Sequence, residues 1–179
     1  MAVKRALPIN KRPLDIAFIA FFVLSLLIFL VVHSQAVCPG WLFPRFMKNI
    51  VRARIKYAGD FLMRDKPRFF QGIVLAEIFV QIPLILANIY AFYYGKGWGR
   101  MTGIVYGVHS ASIMVPVIFE IFYARNVHMK KVLFYYMTYV VVPLLILVRV
   151  LPRDYPFDRP FPFLNFKRES RSKRYQKAC

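Results

Sequence analysis

The chain has 179 residues, of which 59% are hydrophobic and 17% aromatic, and it carries a formal net charge of +18 at pH 7. The apolar share exceeds the roughly 45–50% typical of soluble domains, and the basic residues gather between the long apolar runs. That pattern excludes a soluble nucleic-acid-binding domain, whose cations interleave with polar residues, and points to a membrane protein with basic flanks.

Residues 1–13 form a basic arm. A membrane-crossing helix needs about 20 mostly apolar residues. The first such run extends from Ile16 to about Val37 without Asp, Glu, Lys or Arg, and ends on His33-Ser34-Gln35. It has no convincing cleavage site and reads as a retained span, not a signal peptide. The loop from Pro39 to Arg68 mixes apolar and basic residues, and Phe46, Ile50 and Tyr57 recur near helical spacing. This predicts a helix lying along the bilayer interface. The second span, Phe69 to Tyr94, contains one charged residue, Glu77. Glu77, Gln81 and Asn88 fall on one helix face. The third span, Met101 to Tyr123, carries a polar face of Tyr106, His109 and Ser110, with Glu120 near its end. The fourth, Val132 to Val148, stops at Arg149 and carries Tyr135, Tyr136 and Tyr139, with Thr138 beside them. Residues 153–179 are rich in Pro, aromatic and basic residues, as expected of a flexible tail that meets anionic headgroups.

The expected fold is an all-α membrane protein: a four-transmembrane-helix bundle over residues 14–152 with an interfacial first loop. Pro83, Pro116 and Pro143 each fall inside a span and bend it. An even number of spans puts both termini on one side. Fifteen basic residues lie on that side and eleven on the other, which favours cytosolic termini. Cys38 and Cys179 give neither metal-ligand spacing nor a disulfide framework. No metal or cofactor is expected.

Lipid offers no hydrogen bonds, so the polar stripes turn inward. Asn88 and Ser110 read as interhelical glue, worth about 0.6 kcal/mol each. Glu77 does not: a charged group at mid-membrane costs about 2.5–3.5 kcal/mol on insertion scales, and an ionisable residue there is a functional candidate. Bent helices around inward polar groups leave room for a pocket.

"HSQAVCP" closing the first span, "AEIFVQIP" in the second, "YGVH" in the third and "YMTYVVVP" in the fourth occur in order. From about Leu14 to about Pro152 this set resembles the EXPERA-domain family, which includes the emopamil-binding sterol isomerase, and most closely its branch of sigma-2-type receptors. The resemblance implies a four-helix protein of the endoplasmic reticulum membrane, with cytosolic termini and a possible homodimer. It also implies an intramembrane pocket for sterols and cationic amphiphilic amines, and a link to cholesterol trafficking. By position, Glu77 and Gln81 match pocket residues, Asp60 matches a family acid just before the second span, Tyr106 and His109 match pocket residues of the third span, and Tyr139 matches a ligand-facing tyrosine. Where the receptor branch carries an aspartate that pairs with the ligand amine, this chain has His33. A neutral histidine is no counter-ion for an amine.

The candidate ligand-binding residues are therefore His33, Asp60, Glu77, Gln81, Tyr106, His109, Tyr136 and Tyr139. The expected partners are a sterol or other hydrophobic small molecule and the lipid bilayer, and no nucleic acid. Two alternatives remain open. One is a sterol Δ8–Δ7 isomerase, with Glu77 as acid and His109 or His33 as base. The other is a membrane adaptor without a ligand. Trp41 and Trp98 both lie outside the middle of a span, where the isomerase branch uses aromatics to stabilise a carbocation.

Overall fold

A computed structural model describes residues 6–124 and 129–158. Lys4, Arg5, Arg125 and the expected tail beyond Asp158, including Cys179, lie outside the described residues. The first span is α1 (Pro13–Val31), followed by a tight 3₁₀ turn at His33–Ala36. Pro13 suits the first helical turn, where its missing N–H would have no partner anyway. The first loop folds into α2 (Arg45–Ala58) and a short α3 (Phe61–Asp65). The second span runs through α4 (Arg68–Ala76), a π-helical turn (Glu77–Gln81) and α5 (Ile82–Tyr94). The third and fourth are α6 (Gly99–Tyr123) and α7 (Met129–Val150). Gly59 and Gly95 end α2 and α5 in the left-handed region, at φ of 68° and 64°, where a side chain would be strained.

Among the described residues, four helices are long and apolar enough to cross a membrane: Pro13–Ala36, Arg68–Tyr94, Gly99–Tyr123 and Met129–Val150. Only 28–33% of the most apolar stretch of each is buried within the protein. Leu24, Leu27, Phe79, Leu86, Val115, Phe119 and Phe134 point outward and exposed. Such a surface is tolerable only against hydrocarbon.

The spans close around an aromatic core. Phe18 and Phe22 of α1 meet Phe92 of α5 edge-on, and Phe22 meets Tyr106 of α6. Gly99, Gly103 and Gly107 recur every four residues along α6 and let its backbone approach its neighbours. A Cβ on Gly107 would lie 2.5 Å from Leu147 Cγ and 3.0 Å from the Pro143 carbonyl of α7.

At the terminal side of the bundle, buried Asp15 bridges two buried arginines. Arg12 Nη1 reaches it at 3.1 Å and Arg149 Nε at 2.9 Å. Arg12 also donates to the Phe92 and Tyr93 carbonyls at the end of α5. Residues 153–158, the start of the expected tail, pack back here. Phe157 is buried on Phe92, and the Tyr155 hydroxyl donates to the Gly95 carbonyl at 2.8 Å.

Candidate ligand-binding site

The site lies at the end of the bundle nearer α2 and α3. His33 stands on the tight turn after α1, and Glu77 opens the π turn of the second span. Their side chains meet: His33 Nδ1 lies 2.8 Å from Glu77 Oε2, with both residues at most 2% exposed. Several contacts hold the His33 turn in place. Gln35 Nε2 donates to the Val31 and Met47 carbonyls, and Lys66 Nζ donates to the Gln35 carbonyl at 2.6 Å. Aromatic rings enclose the imidazole. Phe29 stacks on it at 5.2 Å and Tyr136 at 6.5 Å, while Tyr139 lies tilted at 6.0 Å.

Gln81 closes the π turn. Its Nε2 donates to Ser110 Oγ of α6 at 3.1 Å, and that hydroxyl donates to the Tyr139 carbonyl of α7 at 3.2 Å. The π turn sits immediately before Pro83. A wider turn spares the proline ring its clash with the carbonyl four residues back, and π turns of this kind often mark functional sites. The helices continue in α geometry through Pro116 and Pro143, whereas the second span leaves it at Glu77–Gln81 and resumes it at Ile82, with Pro83 in the first turn of α5.

Four buried side-chain atoms here have no hydrogen-bond partner among the described residues: His33 Nε2, Gln81 Oε1, Tyr106 Oη and His109 Nδ1. The Tyr106 hydroxyl faces Gln81, Ser110 and Ser25 without reaching good bonding geometry with any of them. Tyr106, His109, Tyr136 and Tyr139 all lie within electrostatic reach of Glu77. Native proteins satisfy the large majority of buried polar atoms, so a group of open ones facing a buried acid is informative.

Asp60 occupies a separate position. It caps α3 by accepting from the Met63 N–H at 3.2 Å, pairs with Arg54 at 2.9 Å and accepts from the Tyr136 hydroxyl at 3.3 Å. Burial disfavours the Arg54 charge, but the Asp60 carboxylate bonded to it outweighs this and holds the guanidinium above its ordinary value. Asp60 thus ties α2, α3 and α7 together, and reaches His33 through Tyr136. Nothing in the spacing of the chain pointed to Arg54, which lies on the interfacial helix. Asn88 and Ser110 act between helices: Asn88 Oδ1 accepts from the Thr102 hydroxyl at 2.7 Å. Glu120 is exposed on the outer face, where it joins Phe69, Val115, Pro116 and Phe119 in lining a groove of about 360 Å³.

Residues 46–150 match the EBP family, described as EXPERA (EXPanded EBP superfamily). The Sigma intracellular receptor 2 of Homo sapiens is 28% identical over 112 residues, covering 62% of this chain and 64% of the receptor. The Macaca fascicularis receptor gives the same figures. The Xenopus tropicalis receptor is 30% identical over 115 residues, covering 64% of this chain and 67% of the receptor. The chain therefore spans about 64% of the length of the first two relatives.

Proposed function

The chain belongs to the EXPERA family, and from that premise we propose that it is an endoplasmic reticulum membrane protein that binds a sterol or similar hydrophobic ligand between its spans. Its role is in sterol trafficking or homeostasis, and its termini face the cytosol. The observation that carries the reading is the buried His33–Glu77 pair, at 2.8 Å, together with the open polar atoms of Gln81, Tyr106 and His109. An apolar enclosure with a few convergent polar groups is the general form of a small-molecule site. A sterol matches that form, since its ring system is apolar and one hydroxyl supplies the polar contact. In this reading the ligand arrives from the hydrocarbon, toward which the spans present apolar side chains. The ligand must part the rings of Phe29, Tyr136 and Tyr139 to reach His33. In this reading Asp60 acts as a positioning residue: it accepts from the Tyr136 hydroxyl and holds that ring beside the imidazole, while Arg54 and the α3 N-terminus fix the carboxylate.

The test is to purify the protein from membranes, extract it with organic solvent and identify the lipids by mass spectrometry. A sterol that co-purifies in near-stoichiometric amount and is depleted at least about tenfold in Glu77→Ala supports the proposal. Clean protein without lipid contradicts it. Conversion of an added Δ8 sterol to its Δ7 isomer would instead establish the isomerase reading.

A further inference from the structure

We infer that His33 sets the head-group chemistry of the site: paired with Glu77, it admits a neutral hydroxyl and excludes a cationic amine. This deepens the proposed sterol-binding role and rests on it. The argument starts from the acids. Three carboxylates are buried among the described residues, and each already has a partner. Asp15 is bridged by Arg12 and Arg149, Asp60 is paired with Arg54, and Glu77 is bonded to His33. None of these three carboxylates stands ready to receive a cation. An ammonium group entering the site would leave water without a counter-ion, or would have to break the His33–Glu77 bond. Either route is heavily unfavourable in a low-dielectric interior.

A hydroxyl meets no such barrier. Nδ1 of His33 is engaged with Glu77, and Nε2 is the atom left open. A net charge on a desolvated pair is costly, so the pair as a whole is neutral: the acid keeps its proton or passes it to Nδ1, and in both arrangements Nε2–H is a donor. A hydroxyl can accept from that N–H, which an ammonium cannot do. It can also donate to Gln81 Oε1, which has no donor of its own. An ammonium can only donate, and a ketone can only accept.

The experiment uses the full chain in lipid nanodiscs and two probes that differ in one group. Cholesterol is compared with its 3β-amino analogue, protonated at neutral pH, by competition against a bound radiolabelled sterol. The wild type should bind the alcohol at least about tenfold more tightly than the amine. Equal or tighter binding of the amine overturns the inference while leaving sterol binding intact. Binding of neither probe overturns both. In His33→Gln the Glu77 carboxylate loses its ionisable partner, and the amine should gain about tenfold in affinity. A folded His33→Gln protein with unchanged amine affinity removes His33 as the determinant. The wild-type comparison tests the exclusion of the amine, and the variant tests His33 as its cause.

Discussion

At the residue scale the account turns on a buried pair. Glu77 stood out in the sequence because it is the single charged residue in a 26-residue apolar run, and its face was set by helical spacing with Gln81. His33 was legible only at a family position where the chain departs from an aspartate. The structure adds the contact itself, which spans 44 residues of sequence. Such separation explains why other buried pairs went unread. Asp15 and Arg149 are 134 residues apart, and Arg12 looked like one more cation of a basic arm. Removing one member of a buried pair leaves the other unsatisfied, which costs about 3–5 kcal/mol, whereas replacing both by apolar groups is often neutral. Glu77→Leu should therefore lower thermal stability in detergent by that order, and the Glu77→Leu/His33→Leu double variant should recover most of the loss. A double variant no more stable than the single would mean that the pair is not coupled.

At the element scale, the four spans were readable because hydrocarbon demands long apolar runs. The helical form of the first loop followed from the spacing of Phe46, Ile50 and Tyr57. These three side chains are exposed on α2, as an interfacial helix requires. The π turn was not readable, since periodicity cannot separate a wide turn from an α turn at Glu77 and Gln81. The small-residue face of α6 was present in the sequence as Gly99, Gly103 and Gly107, at intervals of four, but its partner was not. Its meaning depends on α7 lying close enough to touch. Gly107→Leu would drive a side chain into Leu147 and the Pro143 carbonyl, and should destabilise the bundle by about 1–3 kcal/mol or more. Gly72→Ala is the control: nothing lies within 4 Å of the added methyl, so α4 should gain about 0.5–1 kcal/mol. Thermal unfolding of the two variants separates packing from helix propensity. Equal destabilisation by both would contradict the close approach of α6 and α7.

At the scale of the whole molecule, the two ends of the bundle differ. The terminal side is closed by Arg12, Asp15 and Arg149, with Phe157 packed beneath the Arg12 guanidinium. The opposite side carries α2, α3 and the polar groups left open around Glu77. Trp41 and Trp98 are exposed at opposite ends of the spans, where amphipathic rings settle at membrane interfaces. In the proposed reading, a hydrophobic ligand enters from within the bilayer, at the end of the bundle away from Arg12 and Arg149. The most direct test is to map where a sterol sits. A photoreactive sterol with its diazirine near the hydroxyl end, irradiated with the protein in nanodiscs, should label peptides containing His33 or residues 77–81, and excess cholesterol should suppress that labelling. Labelling confined to the outer groove at Phe119 and Glu120, or labelling that cholesterol does not compete, would contradict an internal sterol site.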